Sequence, residues 1–222
     1  MASRNGLPAL ASASVPSAGS KVHIIDDDAS FRTALERRLR LAGYAVATYV
    51  TAEQFLDNQP DQNWLGCILL DVRLPGVSGP ELQTRLAECG STLPILFLTG
   101  YIDIPITVST IKAGAEDFLT KPISAKQLLS AVERAIARHK ASSELKIKAD
   151  VRHARLLTLT PRQRQVFDLV VQGKHNHQIG RQLGATERTI KAHRHEVMEK
   201  MGVQSVAELV SMAAHLGVLS AG

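Results

Sequence analysis

The sequence has few cysteines and no long apolar run, and each absence restricts what the protein can be. Cys67 and Cys89 are its two cysteines, and the first lies inside a predicted strand, so a disulfide framework is not expected. No apolar stretch approaches the roughly 18 residues that a membrane span requires. Residues 1–20 are rich in Ala, Ser, Gly and Pro but lack the continuous apolar core of a signal peptide. We therefore expect a disordered, flexible tail over residues 1–20 and a protein of the reducing cytoplasm.

Charge is distributed unevenly along the 222 residues, which are enough for two domains. Residues 1–138 carry 13 Lys and Arg against 14 Asp and Glu, a net charge of −1. Residues 139–222 carry 13 Lys and Arg against 7 Asp and Glu, a net charge of +6, together with seven of the eight histidines. A solvated charged surface would give the same bias, but the asymmetry makes nucleic acid a candidate partner of the C-terminal part alone.

From Lys21 to about residue 139, short apolar runs alternate with amphipathic helical patterns, which is typical of βαβ units. Five such units predict an α/β domain with an open, doubly wound parallel sheet, since a closed barrel would need more units. In such a sheet the C-terminal ends of the strands meet along one edge, and ligands bind at that edge.

Polar residues stand at the C-terminal ends of four of the apolar runs and are predicted to converge. They are Asp26 and Asp27, Asp71, Thr99, and Lys121 before Pro122. Three carboxylates need a compensating cation, for which Mg²⁺ is the hard, oxygen-preferring choice. Asp71 could attack a phosphoryl donor, while Lys121 balances the added charge and the Thr99 hydroxyl donates to a phosphoryl oxygen. Each residue alone would more simply be a turn or cap residue, so the joint spacing carries the prediction.

Residues 21–139 resemble the receiver domain of two-component response regulators. The matching segments are 24–28 (IIDDD), 70–75 (LDVRLP), 99–100 (TG) and 117–122 (DFLTKP). The resemblance implies that a sensor histidine kinase phosphorylates Asp71 and that Asp26, Asp27 and Asp71 hold Mg²⁺, with Asp27 as a direct ligand and the backbone carbonyl of Arg73 completing the set. It also implies that Thr99 and Lys121 sense the phosphoryl group and that the Lys121–Pro122 bond is cis.

Three features vary within this family pattern. Phe118 stands where many receivers have a Tyr switch residue, so it can change rotamer but has no hydroxyl. Asp28 is a third acid in the run and is expected to face solvent or to cap the first helix. Arg73 and Tyr101 flank the expected path of the attacking water, and we hypothesise that they set the lifetime of the phosphoryl group.

Residues 139–158 contain neither Pro nor Gly, which predicts a helical linker, with a flexible linker as the alternative. From residue 159 to 222 the pattern is helical throughout. Thr160-Pro161 begins one helix, Asn176 is predicted to cap a second and Thr186 a third, with a tight Gly184 turn between the last two. A short helix, a turn containing glycine and a helix form the helix-turn-helix layout.

The helix predicted from Thr186 to about Met201 has an apolar stripe and, elsewhere, a basic surface. Such a surface is more often only solvated charge. Residues 159–163 (LTPRQ), 189–193 (TIKAH) and 200–203 (KMGV) nevertheless resemble the LuxR-type DNA-binding domain of FixJ/NarL response regulators, from residue 159 to about 216. The resemblance implies base-edge contacts and phosphate contacts with double-stranded promoter DNA. The base-edge candidates are Lys191, Ala192 and His195, and the phosphate candidates are Arg188, Thr189 and Arg194.

Two minor points concern this region. The family often has Ala where Gly180 stands, and glycine there is expected to loosen the second helix slightly. A metal role for the histidines is rejected, because His193 and His195 diverge by about 200° on a helix and His175 and His177 lack the further ligands of a zinc site.

The sequence thus predicts a response regulator, not an enzyme, with a receiver at 21–138, a linker at 139–158 and a DNA-binding domain at 159–222. Phosphorylation is expected to favour homodimerisation or domain release, with the fourth C-terminal helix as a further dimer contact. One alternative is a phosphohydrolase, although no second carboxylate follows Asp71 closely to act as acid or base. Another is a regulator whose DNA binding ignores phosphorylation.

Overall fold

The computed structural model describes residues 20–58, 65–100 and 104–218, and the chain divides into two compact units between Ala141 and Ser142. Of the tail predicted for residues 1–20, only Ser20 is described, and Tyr101 also lies outside the described residues. Each unit has its own hydrophobic core.

The N-terminal unit is a parallel five-stranded sheet with helices between its strands, as predicted. The strands are β1 (Lys21–Ile25), β2 (Ala45–Tyr49), β3 (Gly66–Asp71), β4 (Ile95–Thr99) and β5 (Asp117–Thr120). The helices are α1 (Ala29–Leu41), α2 (Ala52–Asp57), α3 (Gly79–Glu88), α4 (Ile104–Lys112) and α5 (Ala125–Leu157). The spatial order is β2-β1-β3-β4-β5. Both β3 and β4 are buried along their whole length, because helices cover both faces of a parallel sheet.

Two apolar layers, one on each face of the sheet, follow from the alternation of side chains along the strands. On one face, Val22 and Ile24 of β1 pack with Leu35 and Leu39 of α1 and with the first half of α5. Ile25 packs on the other face, with α2 and α3. The strand pairs β1–β3 and β3–β4 therefore form the interior of the unit, and their C-terminal ends meet at one edge.

Local side-chain caps explain where several helices begin. Asp28 Oδ1 accepts from the backbone N–H groups of Ser30 and Phe31 at 2.9 and 3.1 Å, so the third acid of the run is the N-cap of α1. Thr51 Oγ1 caps α2 by accepting from Gln54 N at 3.2 Å. Each such cap stabilises its helix by about 1 kcal/mol.

The 33-residue helix α5 includes most of the segment predicted as a linker. His139 is buried, and its ring nitrogens lie 3.4 Å from Gly66 N and 3.3 Å from Thr92 Oγ1. Leu156, near the other end of the segment, is buried in the core of the C-terminal unit. Only the central part of residues 139–158 is therefore free of either core.

The C-terminal unit is all-helical in its described part, as predicted. After the end of α5 it contains α6 (Pro161–Val171), α7 (Asn176–Leu183), α8 (Glu187–Met201) and α9 (Val206–His215). Thr160 and Gln163 form a capping box at the start of α6, and Gly184 adopts the left-handed conformation (φ +63°) that ends α7. In the described residues, no helix combines the length and apolarity needed to cross a bilayer.

One sequence-based expectation for α7 needs correction, and the glycine in this helix has a second structural reason. The N-cap is His175, not Asn176, which is the first helical residue; the His175 N–H donates to Gln178 Oε1 at 2.8 Å. At Gly180, an added Cβ would lie 2.7 Å from the carbonyl oxygen of Ala185. Glycine thus permits a close approach of the turn to α7, besides lowering helix propensity.

Candidate functional site

Three carboxylates converge at the C-terminal edge of the sheet. Asp26 and Asp27 follow β1, and Asp71 ends β3; the register that pairs Ile25 with Leu70 makes these residues neighbours. One oxygen from each carboxylate lies within 4.8 Å of the others, and this is the group of three metal-ligating side chains found among the described residues. Asp26 and Asp71 are buried, whereas Asp27 is exposed.

The ammonium group of Lys121, just after β5, bridges two of these acids. Its Nζ lies 2.7 Å from Asp26 Oδ2 and 2.5 Å from Asp71 Oδ2. The Lys121–Pro122 peptide bond is cis, as predicted. The same Nζ lies 4.3 Å from the ring centroid of Phe31, at the start of α1. This cation–π contact was not predicted, because only the folded chain brings α1 over the end of β5.

Burial and charge act against each other in this cluster. Burial raises the pKa of Asp26 above its ordinary value, and the hydrogen bond from Lys121 only partly opposes this effect. Burial alone would lower the pKa of Lys121, but hydrogen bonds to Asp26 and Asp71 outweigh it, so the pKa is raised and the lysine stays protonated. One ammonium cannot balance three ionised carboxylates. The oxygen-rich, electronegative cluster therefore fits a hard divalent cation such as Mg²⁺.

Backbone N–H groups further fix the two buried acids. Arg73 N donates to Asp71 Oδ1 at 3.0 Å, and Asp28 N donates to Asp26 Oδ1 at 3.0 Å. Each acid thus has one oxygen held by the backbone and the other by Lys121. The Arg73 side chain is exposed.

Two further predicted receiver residues, Thr99 and Phe118, lie on the neighbouring strands β4 and β5. Thr99, the last residue of β4, is buried, and its carbonyl accepts from Lys121 N at 2.7 Å. Phe118 of β5 is half-buried and stacks on Phe97, with ring centroids 5.0 Å apart. Tyr101, the second residue proposed to set phosphoryl lifetime, lies outside the described residues.

In the C-terminal unit, α7, the Gly184 turn and α8 form a helix-turn-helix. Ile190, Val197 and Met201 hold α8 in the core. Five of the six predicted DNA contacts are exposed: Arg188, Thr189, Lys191, Ala192 and His195. The Thr189 hydroxyl lies 2.8 Å from that of Thr186, the N-cap of α8.

Arg194 differs from the other candidates. Its side chain is half-buried, and its guanidinium donates to Asn176 Oδ1 at 2.7 Å. This contact joins α8 to the start of α7 and uses the Asn176 side chain that was expected to cap α7. Arg194 therefore has a structural role in addition to any phosphate contact.

Comparisons with known proteins find relatives of both units. Residues 22–133 match the family model of the response regulator receiver domain, and residues 157–213 match that of bacterial regulatory proteins of the luxR family. The transcriptional regulatory protein FixJ of Bradyrhizobium diazoefficiens is 38% identical over 199 residues, which cover 90% of this chain and 97% of FixJ. The response regulator TmoT of Ectopseudomonas mendocina is 40% identical over 197 residues, covering 89% of each chain. A solved structure of the response regulator StyR has a TM-score of 0.83 at 39% identity, covering 89% of this chain and 99% of StyR.

Proposed function

Because the chain belongs to the response regulators that join a receiver domain to a LuxR-family DNA-binding domain, and is a transcription regulator and not an enzyme, we propose that a partner histidine kinase controls it by phosphorylating Asp71. The observation that carries this proposal is the bonding of Asp71. Its carboxylate is buried at the end of a central strand, beside two other acids and hydrogen-bonded to Lys121.

In the proposed reaction a carboxylate oxygen of Asp71 attacks the phosphorus of a phosphohistidine, the P–N bond breaks, and the imidazole leaves. Lys121, already 2.5 Å from Asp71 Oδ2, would transfer its hydrogen bond to the phosphoryl group. Asp26, Asp27, Asp71 and the Arg73 carbonyl would hold Mg²⁺, which supplies positive charge against the phosphoryl oxygens. Thr99 would donate its hydroxyl to one of those oxygens.

The proposed output of phosphorylation is dimerisation through α4 and β5. The side chains of Ile104, Val108 and Ile111 on α4 are 71%, 45% and 53% exposed. Three exposed aliphatic side chains at spacings of four and three residues form one apolar stripe, which association with a second copy would bury. Phe118 lies on the adjacent strand, where a change of its rotamer would alter the same surface. We propose α9 as a second dimer contact, within the DNA-binding domains.

The proposed target is double-stranded promoter DNA in the bacterial-type cytoplasm. Lys191, Ala192 and His195 are proposed to contact base edges in the major groove, because they are exposed near the middle of α8. Arg188 and Thr189, at the start of the helix, and Arg194 are proposed to contact phosphates. The +6 charge of residues 139–222 favours this partner.

Sedimentation of the full chain with Mg²⁺, with and without beryllofluoride as a substitute for the phosphoryl group, tests the proposal. We expect a shift from monomer to dimer, which Asp71→Asn abolishes. Asp28→Asn is the matched control, because it removes one charge from the same acidic run but keeps an oxygen that can cap α1. Fluorine NMR of the complex separates two failures: no bound beryllofluoride would contradict the phosphoacceptor site, whereas bound beryllofluoride without a mass change would contradict dimerisation alone.

A further inference from the structure

We propose that Gln163 and the last turn of α5 position the recognition helix α8, so that the sequence specificity of DNA binding depends on them. This inference rests on the proposed function, since it assumes that α8 contacts base edges. The structure places a polar network, centred on one buried side chain, between the start of α6, the end of α5 and the C-terminal half of α8. We call it the α8 clamp; its members are Arg155, Thr158, Gln163, Glu196, Lys200 and the carbonyl of Met201.

Gln163 is the centre of the α8 clamp. Its side chain is buried, with 5% of the residue exposed. Its Oε1 accepts from Lys200 Nζ at 2.8 Å and from Thr160 N at 3.0 Å, while its Nε2 donates to Glu196 Oε2 at 2.9 Å. Because the lysine can only donate and the ionised glutamate can only accept, the two charged neighbours fix the orientation of the amide.

Glu196 is ionised in this arrangement. The hydrogen bond from Gln163, followed by that from His193, lowers the pKa of the Glu196 carboxyl below its ordinary value. Glu196 and Lys200 are four residues apart, so they lie on one flank of α8. The neutral side chain of Gln163 thus bonds both an acidic and a basic side chain on the same flank of α8.

The end of α5 holds the same part of α8. Lys200 Nζ also donates to the Thr158 carbonyl at 3.0 Å, and an Arg155 guanidinium N–H donates to the Met201 carbonyl at 2.8 Å. Met201 is the last residue of α8, so Arg155 bonds a carbonyl that has no partner within the helix. Leu156, which lies between Arg155 and Thr158 in sequence, is buried in the same core as Val197 and Met201.

These contacts matter for specificity because Lys191, one of the base-edge candidates, lies in the N-terminal half of α8, away from the clamped end. Lys191 and Lys200 are nine residues apart, roughly 13 Å along the helix axis. A tilt of roughly 5° about the clamped end would move Lys191 by roughly 1 Å, and errors of that size weaken directional contacts strongly. The core residues set how deeply α8 is buried, whereas the α8 clamp opposes rotation of its flank.

The test compares specific with non-specific DNA binding by the full chain. The probes are a 30-base-pair duplex enriched from a random-sequence pool by the wild-type protein and an unselected random duplex of equal length, at one salt concentration. We expect Gln163→Met and Arg155→Gln each to lower the ratio of the two affinities about tenfold. Non-specific affinity should change less than twofold in Gln163→Met, since phosphate contacts tolerate small displacements.

Matched controls separate positioning from charge and folding. Gln165→Met makes the same chemical change on the exposed side of α6, and Arg152→Gln removes a positive charge one turn earlier on α5; both should keep the wild-type ratio. Arg155→Lys, which keeps a donor for Met201, should restore at least half of the lost specificity. Circular dichroism checks folding. If Gln163→Met does not fold, the half-buried Arg155 and its lysine variant decide the question.

Two results would overturn the inference while leaving DNA recognition intact. One is an unchanged affinity ratio in folded Gln163→Met and Arg155→Gln. The other is an equal loss of specific and non-specific affinity, which a general folding defect would produce. Failure of the wild-type protein to enrich any duplex would instead contradict the proposed DNA-binding function, so the two failures are distinguishable.

Discussion

The two units hold their functional residues in opposite ways. In the receiver, Asp26, Asp71 and Lys121 come from three strand ends, are largely buried and are bonded to one another. In the DNA-binding domain, the base-edge candidates come from one helix and are each exposed to solvent. A buried cluster compensates its charges internally, so the loss of one member affects all the others. On an exposed helix face, one residue can be replaced without affecting the others, provided that the helix itself stays in position.

Removal of the Lys121 ammonium tests this interdependence with the largest expected effect. The Asp26 side chain is fully buried and that of Lys121 is 20% exposed. Lys121→Met leaves two acids without their cation, and we expect the free energy of unfolding to fall by about 3–5 kcal/mol. Urea unfolding with and without Mg²⁺ measures this, and Mg²⁺ should stabilise the variant more than the wild type. Lys126→Met, at an exposed position on α5, is the control; equal losses in both variants would contradict a compensated cluster.

Buried histidines give the receiver a pH dependence, whereas the histidines of the DNA-binding domain are not buried. His23 of β1 is 1% exposed; its Nδ1 lies 3.2 Å from the Tyr49 hydroxyl, and its Nε2 has no partner in the described structure. Burial, with a smaller effect of Lys21, lowers the pKa of His23 from 6.5 to about 4. Because the unfolded chain binds this proton more tightly, the stabilisation is complete above pH 6.5 and is lost as the pH falls towards 4.

The expected loss over this range is about 3 kcal/mol, from 1.36 kcal/mol per pKa unit. Thermal or urea unfolding at several pH values between 7 and 4.5 measures it. His23→Leu should make the slope shallower, whatever its effect at pH 7; the remaining slope is expected from His139, because burial lowers its pKa too. His153→Gln removes an exposed histidine from the second unit and should leave the slope unchanged. An unchanged slope in His23→Leu would assign the titration to another group.

Substitutions on the exposed face of α8 should have smaller effects that differ in kind. Lys191→Ala should weaken binding to the enriched duplex by about 1–3 kcal/mol and relax specificity at one base position. Arg188→Ala should weaken binding to all sequences and reduce the slope of log affinity against log salt by about one. Fluorescence titrations at several salt concentrations measure both quantities. Identical salt slopes and specificity losses for the two variants would refute the assignment of separate roles.

The same contrast explains what the sequence could predict. The receiver site was predictable because the strand ends of a parallel sheet must meet, so Asp26, Asp71 and Lys121 needed no side-chain detail to be placed together. Phe31 over Lys121 was not predictable, since the contact depends on how α1 packs. Likewise, the apolar stripe of α8 indicated its core, but not the bonds of Gln163. These bonds join residues up to 37 positions apart in sequence, which no local pattern records.

The errors in the sequence-based prediction moved element boundaries by only a few residues, and each arose because tertiary packing is not visible in a local pattern. Asn176 was expected to cap α7, because asparagine is a favoured N-cap. In the structure its side chain instead accepts from Arg194 of α8, and the helix begins one residue earlier, after His175. A tertiary contact thus displaced a local preference. The predicted start of the DNA-binding domain at residue 159 also omitted Arg155 and Leu156, because a continuous helical pattern gives no sign of where the neighbouring core begins.

Two matched threonine caps provide the smallest and most direct comparison. Thr51 caps α2 and Thr186 caps α8, each by accepting a backbone N–H at 3.2 Å. Replacement of either by alanine should lower the free energy of unfolding by about 1 kcal/mol.

The functional results of the two replacements should nevertheless differ. Thr51→Ala should leave beryllofluoride binding within twofold of wild type, because strand ends and not α2 hold that site. Thr186→Ala should weaken DNA binding severalfold, since the exposed candidates Arg188 and Thr189 lie in the first turn that the cap stabilises. Weaker beryllofluoride binding in Thr51→Ala would show that the receiver site also depends on the helices around it.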